Sequence, residues 1–137
     1  MTAIDLIFPY SATSHGVTVR VAPRFLPDQS DESEPRFVWS YHVRVENHGG
    51  ETVQLHDRFW RITDADGHVE IAEGPGVIGQ TPVIEPGGAF DYVSGCPLAT
   101  PSGTMEGHYG MSSDSGRFDA AIPAFALVHP TLKPSIN

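Results

Sequence analysis

Phe37-Val38-Trp39-Ser40-Tyr41-His42-Val43-Arg44-Val45 carries a large apolar side chain at every odd position, with Ser, His and Arg at 40, 42 and 44. A period of two marks a strand with one buried face. Upstream, Val17, Val19 and Val21 repeat the pattern. Residues 26–36 between the two runs hold Pro27, Pro35 and the acids Asp28, Asp31, Glu32 and Glu34, as a solvated connection would. Downstream, Gly49 and Gly50 make a turn into a third run, residues 52–63. There Val53 and Leu55 are apolar at odd positions and Trp60 and Ile62 at even ones. A β-bulge near His56, Asp57 and Arg58 restores the phase and keeps both pairs facing the core.

Further strands are expected at residues 68–73, 89–94, 104–112 and 117–128. Met105, Tyr109 and Met111 fall on one face. Phe118, Ala120 and Ile122 are out of phase with Phe125 and Leu127, so a bend or a change of sheet is expected at Pro123. With 14 glycines and 12 prolines in 137 residues, no ten-residue window keeps an uninterrupted helical stripe. The expected fold is all-β, an antiparallel β-sandwich of seven or eight strands in one domain. Residues 17–132 form that domain, with 1–16 as an N-terminal extension and 133–137 as a tail.

Charge narrows the partners. Lys and Arg number 8 against 17 Asp and Glu, and the net charge of −9 opposes binding to nucleic acid or to an anionic membrane surface. The imbalance is concentrated in residues 62–137, at net −7 against −2 for residues 1–61. The N-terminus has no basic leader and no long apolar run, and the lone Cys96 cannot form an internal disulfide, so a cytoplasmic protein is expected.

The turn at residues 63–68 leaves two pairings open for its strands. A two-residue loop sets Trp60 against Glu73. A four-residue loop, Asp64-Ala65-Asp66-Gly67, sets Ile62 against Val69, Trp60 against Ile71, Arg61 against Glu70 and Arg58 against Glu73. Each such pair contributes roughly 0.2–1 kcal/mol, so four matched pairs favour the longer loop. Arg58 and Glu73 would then support, as an ion pair, the mouth of the loop that starts at Gly74.

Gly74-Pro75-Gly76-Val77-Ile78-Gly79 spells G-x-G-x-x-G, the pattern that in dinucleotide-binding folds leads into a helix N-terminus. Here Pro82, Pro86, Gly87 and Gly88 follow and exclude that helix. What remains is a loop whose amides could form a nest for a small anion, with Gly74, Gly76, Val77 and Gly79 as candidate binding residues. His15, His42, His48, His56, His68, His108 and His129 form no short ligand pair, so no metal or cofactor is expected. Cys96 lies beside Pro97 with no neighbouring histidine or base and reads as an unreactive thiol. No nucleophile elbow or carboxylate pair identifies itself, so no catalytic residue is assigned.

The string Arg58-Phe59-Trp60-Arg61-Ile62-Thr63-Asp64, followed by Glu73-Gly74-Pro75-Gly76-Val77-Ile78-Gly79 and Pro82, resembles the ApaG (also called CorD) family. The likeness continues through Pro86-Gly87, Phe90-Asp91-Tyr92-Val93-Ser94-Gly95, Thr100-Pro101-Ser102-Gly103-Thr104-Met105 and Gly107-His108-Tyr109-Gly110-Met111. Ile78, Gly110 and Ala126 depart mildly from the family's usual residues. The resemblance implies a fibronectin type III-like sandwich and no settled reaction. Bacterial members take their names from neighbouring genes for dinucleoside polyphosphate breakdown and from cobalt and magnesium phenotypes. Related eukaryotic domains sit in F-box and polymerase-interacting proteins. The function this implies is a non-enzymatic protein-interaction module with an unidentified protein partner. The alternative is a small-ligand module holding a phosphate-bearing metabolite or a metal at residues 74–79, and a third reading is a hydrolase acting on such a metabolite.

Overall fold

Two antiparallel sheets face each other in the computed structural model, which describes residues 2–130. The elements in chain order are α1 (Ala3–Ile7), β1 (Tyr10–Ser14), β2 (Val17–Phe25), β3 (Phe37–Asn47), β4 (Val53–Asp64), β5 (Val69–Pro75), β6 (Val83–Ile84), β7 (Ala89–Leu98), β8 (Ser102–Ser113) and β9 (Gly116–Val128). One sheet runs β1-β2-β3-β7 and the other β5-β4-β8-β9, with the short β6 also paired to β4. This is the fibronectin type III-like sandwich expected, with nine strands among the described residues. Seven or eight strands are expected, and the two that match none of the seven runs placed in the sequence are β1 and β6. The proposed tail at 133–137 lies outside the described residues.

The alternating runs close the core as their period requires. Val17, Val19, Val21, Trp39, Tyr41, Val43 and Val45 are buried from one sheet, and Leu55, Trp60, Met105, Tyr109, Met111, Phe125 and Leu127 from the other. Trp60 stands at the centre, edge-on to Tyr41 at 5.2 Å and to Phe125 at 5.9 Å. The phase slip in β4 is the bulge expected, its pairing with β8 jumping between Leu55 and Asp57 so that His56 is the extra residue. The slip in β9 is also absorbed by a bulge, since Met105 pairs with Phe125 while Gly107 pairs with Ile122. Pro123 therefore marks no change of sheet.

Residues 10–14, expected as part of an extension, belong to the sandwich. A two-residue turn with positive φ at His15 (50°) and Gly16 (79°) folds β1 onto β2. This places β1 beside the outer edge of β9, where the Ala121 N–H donates to Ser14 Oγ at 3.1 Å and the Ala126 N–H to the Tyr10 hydroxyl at 3.4 Å. Two amides of the β9 edge are thus covered. On the opposite flank β5 and β7 are edge strands, with no strand on their outer sides among the described residues.

The hairpin β4–β5 takes neither expected register. Trp60 pairs with Ala72, Arg61 with Ile71, Ile62 with Glu70 and Phe59 with Glu73. The loop is three residues long, closed by the Asp64 N–H donating to the His68 carbonyl at 3.0 Å, with Gly67 at φ 84°. Turn chemistry explains the outcome. The Asp64 carboxylate accepts from the Asp66 and His68 amides, and a type I turn ending on a left-handed glycine is the favoured three-residue hairpin. A one-residue slip turns every side chain of β5 to the other face, so Val69 and Ile71 lie outward, 39% and 49% exposed.

Candidate functional site

On the open flank the polypeptide leaves β5 at Pro75 and crosses toward β6 through the glycine loop. The Gly76 N–H donates to the His56 carbonyl at 2.7 Å, so the bulged residue of β4 anchors the loop. Val77 and Gln80 then exchange both backbone hydrogen bonds at 2.9 Å around a two-residue turn, with φ 44° at Ile78 and 77° at Gly79. At Gly76 a Cβ would lie 2.3 Å from the Gln80 carbonyl oxygen, so only glycine fits. Val77 is buried between the sheets and Ile78 is 55% exposed at the tip.

This geometry answers the glycine motif. Among the described residues no helix follows it. The amides of Gly76, Val77 and Gln80 are engaged within the protein, so these three N–H groups are not free to form the nest its spelling suggests. Of the four candidate binding residues, Gly74 lies over a guanidinium, Gly76 and Val77 hold the loop together, and Gly79 lines a cleft beneath it.

The guanidinium is that of Arg58, and its role differs from the one expected. Glu73 pairs with Phe59 in the ladder and Arg58 with Gly74, so the two residues alternate to opposite faces and form no ion pair. Arg58 points inward in phase with Trp60. Its Nη1 donates to the carbonyls of Pro75 and Gly76, each at 2.9 Å. Arg61 likewise turns from Glu70 to Glu106, at 3.8 Å.

Beneath the loop lies a cleft of about 270 Å³ between the sheets. Arg58, Trp60 and the turn 77–79 form one wall, and Tyr41, Tyr92 and Ser94 form the other. The Tyr92 hydroxyl is hydrogen-bonded to that of Tyr109, which is completely buried. Burial raises the pKa of all three tyrosines, although the Ser94 hydroxyl and the Arg58 charge pull Tyr41 part of the way back. The phenols therefore stay protonated near neutrality. Burial also pushes the Cys96 thiol up to about 11, with Glu70 adding to the shift, in keeping with an unreactive cysteine. Such a site supplies one cation and several hydroxyl donors.

Tyr41, Tyr92, Tyr109 and Ser94 were not among the sequence candidates, although a signal existed. Ser94 is polar at an even position of β7, in step with the core-facing Tyr92 and Cys96, and Arg58 is charged in step with Trp60. A polar group at a core-phase position marks a lined cavity. Elsewhere the histidines are dispersed, and among the described residues no group of three or more His, Cys, Asp or Glu could hold a metal ion.

The model of the ApaG domain matches residues 27–113 of this sequence. The chain belongs to the ApaG family. Similar relatives include Protein ApaG of Rhodospirillum centenum, 54% identical over 122 residues covering 88% of this chain and 94% of that protein. Protein ApaG of Rhizobium meliloti is 47% identical over 129 residues, covering 93% and 99%. Among solved structures, the putative ApaA protein of Bordetella pertussis superposes with a TM-score of 0.81 at 44% identity, over 83% of this chain and 94% of that one. A further X-ray structure, a structural-genomics target, gives a TM-score of 0.83 at 38% identity, over 92% and 96%. The ApaG match spans the bulge of β4, the glycine loop and both walls of the cleft, so the site described is part of the ApaG domain itself.

Proposed function

We propose that this ApaG-family chain is a non-enzymatic, cytoplasmic protein-interaction module that takes an extended segment of its partner along the open flank. The observation that carries the reading is β5. Among the described residues it is hydrogen-bonded to β4 alone, and all of its residues except Gly74 are exposed, Val69 and Ile71 among them. An unpaired edge with apolar side chains at alternate positions is a template for strand addition, in which backbone bonds give affinity and the side chains give selectivity. Glu70 and Glu73 border it, and with a net charge of −9 for the whole chain they favour a partner segment that alternates apolar and basic residues. No helix among the described residues is long and apolar enough to cross a membrane.

A hydrolase reading has little to draw on here, because the phenols and the thiol nearest the cleft are held in their protonated forms. The test is cross-linked capture from host cells with the wild type and with Val69→Lys/Ile71→Lys, followed by amide exchange of the captured complex. A partner bound by the wild type, lost in the double variant, that slows exchange across residues 69–73 is the expected result. Capture that ignores the edge substitutions rejects it.

A further inference from the structure

We infer that the cleft beneath the glycine loop is a binding site for a carboxylate carried on an apolar or aromatic body. The site stands whether or not the β5 edge takes a partner. Its basis is a set of hydrogen-bond donors that converge without acceptors. Arg58 has five N–H groups. Those on Nη1 meet the Pro75 and Gly76 carbonyls, and Nε and Nη2 have no hydrogen-bond acceptor among the described residues. Arg20, Arg44, Arg61 and Arg117 each have a carboxylate within 4 Å; Arg24, Arg36 and Arg58 have none among the described residues, and Arg58 lines a cleft with no acid among the residues that form it.

The tyrosines point the same way. Tyr109 is fully buried, and the Tyr92 oxygen is its only hydroxyl partner among the described residues; donating to it satisfies the Tyr109 proton and leaves the Tyr92 proton for another acceptor. Tyr41 and Ser94 line the same wall, and even where one donates to the other a hydroxyl proton remains to spare. A cation and two hydroxyl donors around one small space call for an anionic acceptor.

The charge of that acceptor is limited by the rest of the molecule. One guanidinium balances one negative charge, and in a chain at net −9 each further charge on the ligand meets repulsion. A monoanionic carboxylate is therefore favoured over a phosphate or polyphosphate. The planar guanidinium also suits a planar acceptor, and Trp60, Val77 and Ile78 offer an apolar wall to the body that carries it.

The experiment is a titration of the isotope-labelled full chain at pH 7 with benzoate, benzamide and inorganic phosphate, following amide resonances and the Arg58 Nε. Benzoate is expected to give saturable shifts at Arg58, Gly79 and Ser94, with no saturable shift from benzamide and phosphate at least about tenfold weaker. In Arg58→Gln the benzoate affinity falls about tenfold or more. Ser94→Ala, which leaves the arginine clip on the loop intact, weakens it about threefold and guards against a loss that reflects only a loosened loop. Acetyl-Ala-Phe with a free and with an amidated terminus separates the sources. Binding of the free acid peptide identifies a polypeptide C-terminus, and benzoate binding without it identifies a small acid. Absence of saturable shifts overturns the assignment, as do equal responses to benzoate and benzamide, phosphate binding as tight as benzoate, or an affinity that neither substitution changes.

Discussion

Ile78 sits at φ 44°, where a β-branched side chain meets its own backbone, and the residue is held there by the double hydrogen bond between Val77 and Gln80. Such strain costs of order 1–3 kcal/mol. Ile78→Asn, which tolerates the left-handed region, is expected to raise stability by about 0.5–1 kcal/mol in urea unfolding while leaving the turn in place. Glu46 is the opposite kind of residue. Its carboxylate is 9% exposed and accepts from Arg20, Arg44 and His48. Burial alone would raise its pKa, yet those hydrogen bonds outweigh burial and hold it below 4.5. A lowered folded pKa means that the stabilisation is present above the unfolded value and is lost as pH falls through the folded one. Urea midpoints should therefore drop below about pH 4.5, and the drop should be smaller in Glu46→Gln, which itself costs about 2–3 kcal/mol at pH 7.

At the scale of elements, the hairpin β4–β5 shows how local chemistry outranks pair matching. Four well-matched side-chain pairs predict a four-residue loop, but Asp64 with its two amide partners and Gly67 in the left-handed region favour three residues. Gly67→Ala should cost about 1 kcal/mol and speed amide exchange in β5 more than in β8, measured in one exchange experiment. The bulge of β4 was legible because it leaves a trace in the sequence, the change of phase between Leu55 and Trp60. The register of β5 was not, because both of its faces are largely exposed and neither pattern of side chains is enforced by burial. The ion pair expected between Arg58 and Glu73 was lost with that register. The inward arginine could still be read from its phase with Trp60.

For the whole molecule, the sandwich was legible from the runs that begin at Val17 and Phe37, whose period of two survives in the buried faces of β2 and β3. The N-terminal strand was missed because Tyr10-Ser11-Ala12-Thr13-Ser14 is short and polar and earns its place by covering an edge rather than by filling the core. Deleting residues 1–14 removes the buried Phe8, the ring of Tyr10 against Phe125 and two acceptors for β9 amides, and is expected to lower stability by about 3–5 kcal/mol. Deleting only residues 1–7 should cost less, and urea denaturation of the two truncations provides the comparison.

The bonds from Ser14 and Tyr10 to the outer amides of β9 also give the molecule a valence. With the Ala121 and Ala126 amides of β9 occupied, strand addition is directed to the β5–β7 side. Copies that meet β5 to β5 form an isologous contact, which uses up that edge on both and closes as a pair.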